Sequence, residues 1–157
     1  MVESNQEIIV ELPIDKVMAL FQKQEYFKEW QKGLINFRNT TAQIGKVGSK
    51  REMKIKLAGT TITMEEKILK TDLPHAWEAV YKSKGVKNYQ YNRFRESEIT
   101  TNNTTKKITI WNSRSIFKFT GFMRLIGRSK PDLFKNQTIE FMKGFKTFAE
   151  NHTDQEK

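Results

Sequence analysis

The chain has 157 residues, 37% hydrophobic and 29% charged, which is the composition of a folded protein rather than of a disordered segment, and its length predicts one domain over residues 1–157. The lack of cysteine excludes disulfides, thiolate metal sites and a cysteine nucleophile. The polar, acidic residues 1–7 are unlike a secretory signal, and no run reaches the about 18 apolar residues of a membrane span. A cytoplasmic protein is therefore expected. The formal net charge of +10 permits attraction to nucleic acid, an acidic membrane or an anionic protein, without choosing among them.

The first part of the chain predicts a strand followed by two short helices. Residues 6–12 alternate apolar and polar side chains, with Ile8 and Val10 on one side, which predicts a strand. Pro13 ends this strand and can begin a helix, because the first amides of a helix need no intrahelical partner. Apolar residues at helical spacing follow, and a second short helix is predicted over residues 24–31.

From residue 34 the apolar pattern changes to a period of two. The runs with this period, separated by short turn signals, are residues 34–44, 50–57, 61–69, 75–82, 86–99 and 105–119. Because the connections are short, successive strands should pair as antiparallel neighbours. Together with the first strand, the pattern predicts a seven-stranded antiparallel sheet.

A long helix is predicted near the end of the chain. After a loose segment at residues 122–127, Ser129 resembles a helix cap, with Pro131 in the first turn. The apolar stripe of this helix consists of Phe134, Thr138, Phe141, Phe145 and Phe148. Such a stripe must lie against an apolar surface, and the concave face of the sheet is the large candidate. The predicted fold is therefore α+β: a curved sheet gripping the helix, with a polar tail at residues 151–157.

Several short segments lie in order along this pattern. They are residues 9–17 (IVELPIDKV), Trp30, residues 45–49 (GKVGS) and residues 145–150 (FKTFAE). In this order and spacing they resemble the START-like helix-grip superfamily, in particular the polyketide cyclase/dehydrase and lipid-transport group known as SRPBCC. The resemblance covers almost the whole chain. Members range over aromatic cyclases, lipid and quinone carriers, hormone receptors and chaperone activators, so it implies an internal pocket without naming the ligand.

Strand parity predicts which side chains face that pocket. Trp77 and Tyr81 share one face, and a two-residue turn at residues 84–85 would place Asn88 and its alternate neighbours opposite them. The predicted ligand-binding residues are Met53, Ile55, Met64, Glu66, Trp77, Tyr81, Asn88, Gln90, Asn92, Asn112, Arg114, Phe134 and Phe141. A buried Arg114 would need a carboxylate, for which Glu66 is the candidate.

Our hypothesis from this pattern is that the amides and Arg114 fix the polar end of a ligand. Its apolar part would rest on Met53, Ile55, Met64, Trp77 and Tyr81. The alternative is a bulge that changes the phase of the sixth or seventh strand, which would put Tyr89 and Tyr91 inside and the amides in water. The sequence leaves both alternatives open.

Signals of catalysis are weak. His75 and His152 each lack a second imidazole or a nearby carboxylate in the pattern, so neither a metal site nor a catalytic triad is predicted, and no cofactor is expected. Glu65 and Glu66 alternate across a strand and cannot both face one substrate. A cyclase could still act by shaping a reactive chain, so an enzyme remains an alternative to a carrier, a sensor or a protein-interaction module.

A basic cluster precedes the long helix. Arg124, Arg128 and Lys130 are mixed with Phe122 and Leu125, a combination that could touch an anionic membrane while the pocket takes up a lipid. A solvated surface is the alternative interpretation. Nucleic-acid binding is not predicted, because the aromatic residues follow the phase of the core instead of interleaving with the basic residues.

Overall fold

A computed structural model describes residues 1–57 and 59–155, with side chains as far as residue 152. Its elements are β1 (Val2–Val10), α1 (Ile14–Phe21), a 3₁₀ turn (Gln24–Tyr26), α2 (Phe27–Trp30), β2 (Leu34–Asn39), β3 (Lys50–Leu57), β4 (Thr60–Asp72), β5 (Ala76–Ser83), β6 (Val86–Thr101), β7 (Thr104–Phe119), α3 (Met123–Ser129) and α4 (Pro131–Gln155). Across these residues no helix is both long enough and apolar enough to span a membrane.

The strands form an antiparallel sheet in the order β1-β7-β6-β5-β4-β3-β2, seven strands in the described part of the chain. From β2 to β7 each strand pairs with the next in sequence, as the short connections predict. β1 instead pairs with β7, so that Val2 lies opposite Phe117 and Val10 opposite Thr109. The predicted α+β fold with a long carboxy-terminal helix is confirmed.

The carboxy-terminal half of α4 is held by an aromatic core. Phe145 is fully buried, and its ring centroid lies 5.6 Å from that of Phe21, 5.1 Å from Trp30 and 5.7 Å from Trp111. These contacts join α4 to α1, to α2 and to β7. Burial of one such phenylalanine stabilises the fold by roughly 1.5–3 kcal/mol, so this cluster fixes one end of the helix.

The amino-terminal half of α4 touches the sheet through smaller and more polar contacts. Phe134 packs on Phe117 with ring centroids 5.5 Å apart. The hydroxyls of Ser115 and Thr138, both buried, lie 2.9 Å apart and form a hydrogen bond. The small side chain of Ser115 keeps α4 close to the sheet, because a larger side chain at position 115 would separate them.

Two predicted boundaries near the amino terminus differ from the structure. β1 begins at Val2, before the predicted range of 6–12, because backbone pairing with β7 continues through its polar residues. β2 ends at Asn39, and the remainder of the predicted strand 34–44 is irregular. The loop that follows contains Gly45 and Gly48, both with positive φ, which a regular strand does not accommodate.

The predicted cap and end of the long helix were also wrong. The segment at residues 122–127 is largely helical, because α3 runs from Met123 to Ser129. Ser129 is therefore not the cap of α4, and its hydroxyl donates to the carbonyl of Leu125 at 2.8 Å. α4 continues to Gln155 through most of the predicted tail, of which residues 156–157 lie outside the described part of the chain.

Candidate functional site

The sheet and α4 line a partly open cavity of about 740 Å³. Its apolar lining includes Phe27, Met53, Ile55, Ile62, Met64, Phe117, Phe134, Phe141 and Met142. Trp30, Trp77 and Trp111, which are all the tryptophans of the chain, line it as well. Cavities that hold small molecules measure roughly 300–1,000 Å³, and the volume of this cavity lies within that range.

Four polar side chains cross one wall of the cavity in a line, which we call the polar row: Arg51, Glu66, Tyr81 and Asn88. Arg51 on β3 lies directly opposite Glu66 on β4, Glu66 opposite Tyr81 on β5, and Tyr81 opposite Asn88 on β6. Directly opposed side chains of an antiparallel sheet share a face. The polar row therefore follows from the strand register.

Arg51 and Glu66 form a buried ion pair at one end of the row. The Nε and Nη2 atoms of Arg51 donate to the two carboxylate oxygens of Glu66 at 3.1 and 2.9 Å. Nη2 also lies 3.4 Å from Gln31 Oε1. The guanidinium carbon is 4.5 Å from the ring centroid of Phe27 and 4.9 Å from that of Phe37. Two aromatic faces and a bidentate carboxylate thus hold the guanidinium in one orientation.

Tyr81 continues the network towards the middle of the sheet. Its hydroxyl donates to Glu66 Oε2 at 2.7 Å. Burial, together with the negative charge of Glu66, raises the pKa of the Tyr81 hydroxyl well above its ordinary value of about 10. Tyr81 is therefore a neutral hydrogen-bond donor at any physiological pH, and Glu66 accepts from both Arg51 and Tyr81.

Two atoms of the polar row are buried without a hydrogen-bond partner among the described residues: Arg51 Nη1, a donor, and Asn88 Oδ1, an acceptor. The Nε1 donor of Trp30, which also lines the cavity, is likewise buried without a hydrogen-bond partner among the described residues. Buried polar groups are normally paired, since each unpaired one costs about 1–3 kcal/mol. Unpaired groups of both kinds in the wall of a large cavity are what a partly polar ligand would satisfy.

Most of the predicted site residues lie on the cavity wall. They are Met53, Ile55, Met64, Glu66, Trp77, Tyr81, Asn88, Gln90, Asn92, Phe134 and Phe141. The two-residue turn at residues 84–85 sets the predicted pairing, with Tyr81 opposite Asn88 and Trp77 opposite Asn92. Asn92 is fully buried, and its Oδ1 accepts from Trp111 Nε1 at 3.0 Å, so this amide supports the wall. The role of these predicted cavity residues in ligand binding stays a prediction.

Asn112 and Arg114 do not face the cavity, so the predicted phase of the last strand was wrong. Arg114 Nε donates to Glu3 Oε1 at 2.6 Å on the outer face of the sheet. On the same face, the guanidinium carbon of Arg114 lies 5.9 Å from the ring centroid of Tyr91. Glu66 is therefore paired with Arg51 and not with Arg114.

The phase of β7 was ambiguous because apolar residues occupy adjacent positions. Ile110 precedes Trp111 and Ile116 precedes Phe117, so either alternation has large apolar members. The inward set is Trp111, Ser113, Ser115 and Phe117, each buried. β6 keeps its predicted phase, so the alternative with Tyr89 and Tyr91 inside is wrong for that strand, and the shift of phase belongs to β7 alone.

The two histidines lie away from the polar row. His75 is exposed in the turn between β4 and β5. His152, near the end of α4, packs against the rings of Tyr26 and Phe148, with centroids 5.1 and 5.3 Å away. Among the side chains described, within residues 1–57 and 59–152, no group of three or more His, Asp or Glu is arranged to hold a metal ion.

Of the predicted basic cluster, Arg124 and Arg128 lie on α3 and Lys130 directly follows it, close to the cavity. Phe122 and Leu125 are 73% and 59% exposed, beside Arg124 and Arg128. Met123 on the same helix lines the cavity. A mixed apolar and basic surface therefore adjoins one end of the cavity.

Comparisons with known proteins agree on the architecture. No family model and no curated protein matches the chain. The protein TTHA0849 from Thermus thermophilus is similar in structure, with 12% identity, a TM-score of 0.71 and coverage of 96% of this chain and 98% of that one. A conserved protein from Geobacillus kaustophilus has 13% identity, a TM-score of 0.68 and 96% coverage of both chains. Ara h 8.0201 has 10% identity, a TM-score of 0.58 and coverage of 95% of this chain and 97% of that one.

The chain has the helix-grip fold. Identities this low show the fold alone, because proteins of one fold carry many functions. What the cavity does must therefore be argued from its own side chains.

Proposed function

We propose that this protein binds an apolar or amphipathic small molecule in its internal cavity, as a carrier or a sensor of that molecule. The observation that carries the proposal is the cavity of about 740 Å³, with its apolar walls and the polar row on one side. An apolar body would gain roughly 25 cal/mol per Å² removed from water, and the polar row would fix its orientation.

The sequence resemblance to the SRPBCC group supports the same function. Members of that group include carriers and receptors of hydrophobic molecules, and the segments that carry the resemblance span the chain from residue 9 to residue 150. Lipids, polyketide-like compounds and aromatic molecules are the ligand classes that this resemblance implies.

A cyclase or dehydrase acting on a polyketide-like substrate is the alternative within the same group. A general base needs an accessible lone pair close to the substrate proton. Glu66, the carboxylate in the cavity wall, already accepts from Arg51 Nε, Arg51 Nη2 and Tyr81 Oη, which leaves it poorly suited to that task. The arrangement therefore favours binding over acid–base catalysis.

A protein-interaction module of the chaperone-activator kind is the second alternative. Such a module needs no internal space, and its interior could be filled by side chains. The volume of the cavity and the unpaired polar atoms in its wall favour a small-molecule ligand instead.

Native mass spectrometry of the freshly purified protein, followed by organic extraction, tests the proposal. We expect a bound apolar molecule whose amount falls in Gln90→Trp, a variant that places an indole ring inside the cavity. Tyr89→Trp is the matched control, because Tyr89 lies next in sequence and faces away from the cavity. Equal ligand content in both variants would contradict the proposal, and chemical change of the extracted molecule on incubation would favour the enzyme.

The surface of α3 supports a transient contact with an anionic membrane as the route of ligand entry. Leu125 on the helix and Phe122 just before it, both exposed, would enter the interface while Arg124 and Arg128 meet lipid phosphates, with Lys130 just beyond the helix. The nearness of Met123 to the cavity gives this surface a direct connection to the ligand.

A further inference from the structure

The polar row carries no net charge. Arg51 contributes one positive charge and Glu66 one negative charge, joined by two hydrogen bonds. Asn88 is uncharged, and the raised pKa of Tyr81 keeps its hydroxyl protonated. Lys46 and Lys84 also line the cavity, and both are exposed. The buried part of the polar wall is thus electrically balanced before any ligand arrives.

The hydrogen-bonding capacity left in the row is of two kinds. Arg51 Nη1 offers a donor at one end, and Asn88 Oδ1 offers an acceptor at the other. A hydroxyl group can serve either end, because it both donates and accepts. A carboxylate can only accept, and an ammonium group can only donate.

A charged group would find no uncompensated partner in the row. A carboxylate near Arg51 would share a guanidinium whose charge Glu66 already neutralises, and it would lie close to that second anion. An ammonium near Asn88 would meet a carboxylate already engaged by Arg51 and Tyr81. Because burying an unpaired charge is far more costly than burying a hydrogen-bonded hydroxyl, both charged ends are disfavoured.

We propose that the polar row selects amphipathic ligands whose inner end is uncharged and hydroxylated, a long-chain alcohol being the simplest member of the class. This selectivity rests on the proposed binding function and deepens it. It separates the candidate ligands by head group, with alcohols favoured over fatty acids and amines of equal length.

Tryptophan fluorescence can report binding directly, because Trp30, Trp77 and Trp111 all line the cavity. The probes are dodecan-1-ol, dodecanoic acid and dodecylamine, titrated at about pH 8, where the acid and the amine are charged. We expect dodecan-1-ol to bind at least about tenfold more tightly than either charged probe. Acidification towards pH 5 should strengthen the binding of dodecanoic acid alone, as its neutral form increases.

Two variants test whether the row causes the selectivity. Glu66→Gln leaves Arg51 unneutralised, so the preference should move towards dodecanoate by about tenfold or more. Glu3→Gln is the matched control, because Glu3 also pairs with an arginine but lies on the outer face, and its preference should stay that of the native protein. Asn88→Leu should weaken dodecan-1-ol binding without lowering stability, since it removes a buried acceptor that has no partner among the described residues.

The outcomes separate this inference from the function on which it rests. Dodecanoate binding as tightly as dodecan-1-ol to the native protein would overturn the selectivity and leave ligand binding intact. An unaltered preference for dodecan-1-ol over dodecanoate in Glu66→Gln would also overturn the selectivity. If circular dichroism shows that Glu66→Gln is unfolded, an unaltered preference in Asn88→Leu would overturn it instead. No fluorescence response to any probe, together with an empty protein by native mass spectrometry, would overturn both proposals.

Discussion

Arg51 and Glu66 lie directly opposite each other on β3 and β4, and their side chains are 3% and 9% exposed. The guanidinium and the carboxylate are joined in a bidentate arrangement inside the cavity wall. A pair this deeply buried gains little net stability from its attraction, because both charges lose their hydration. Removal of one partner alone, however, would leave the other charge buried and unpaired.

The first prediction concerns this dependence. Arg51→Met or Glu66→Leu alone should lower the free energy of unfolding by about 3–5 kcal/mol, since each leaves one buried charge unpaired. The double variant should cost far less than the sum of the two. Urea denaturation of all four proteins measures the coupling. Arg114 and Glu3, half exposed on the outer face, form the control pair, whose coupling should stay below about 1 kcal/mol. Additive losses for Arg51 and Glu66 would contradict the prediction.

The second prediction follows from the raised pKa of Tyr81. Above about pH 10 the unfolded chain releases the phenolic proton while the folded protein retains it, so folding stability should fall as the pH rises. The contribution of Tyr81 is thus complete below that pH and is lost above it. Tyr81→Phe should flatten the fall, measured by urea denaturation between about pH 9 and 11. An identical pH dependence in the variant and the native protein would disprove the assignment.

The third prediction concerns Gly144, where replacement by alanine should lower the stability of the protein instead of raising it. Gly144 lies inside α4, where alanine usually stabilises a helix by about 1 kcal/mol. A Cβ atom at this position would lie 2.7 Å from the carbonyl oxygen of Trp30, which is backbone and cannot rotate away. Gly144→Ala should therefore lower stability by about 1–3 kcal/mol. Thermal denaturation beside the exposed control Thr147→Ala checks it, and a stabilised Gly144→Ala would show that α4 is not held against α2.

The fourth prediction concerns the surface of α3. Arg124→Gln with Arg128→Gln should weaken binding to vesicles of phosphatidylserine and phosphatidylcholine by about 2 kcal/mol, or roughly thirtyfold, because each basic residue near such a surface contributes about 1 kcal/mol. Vesicle pelleting at low and high salt measures this. Lys54→Gln with Lys56→Gln removes the same charge from exposed positions of β3. Equal losses in both double variants would indicate attraction by net charge alone.

Much of the fold could be predicted because two periodicities are strong in this sequence. The period of two in the middle of the chain gives the strands, and the spacing of Phe134, Thr138 and Phe145 gives the long helix. The turn at residues 84–85 also sets a register, since a two-residue hairpin leaves little choice of pairing.

The site was harder to predict than the fold. The sequence pattern does not indicate Arg51 as a site residue, although it shares the phase of Met53 and Ile55, because a charged strand residue is normally exposed to solvent. The usable signal was that Arg51 and Glu66, of opposite charge, both follow the apolar phase of their own strands. The pattern predicts Arg114 instead, because the adjacent apolar pairs of β7 make either phase of that strand equally plausible.

The pairing of β1 with β7 has a consequence for synthesis. Val2 is paired with Phe117, so the first strand has no partner in the sheet until most of the chain has left the ribosome. The hairpins from β2 to β7 can form as they emerge, since each contact among them is local. β1, although synthesised before the other six strands, must therefore be among the last to join the sheet, and a nascent chain halted before β7 would leave the backbone hydrogen-bonding groups of β1 open to chaperones or to aggregation.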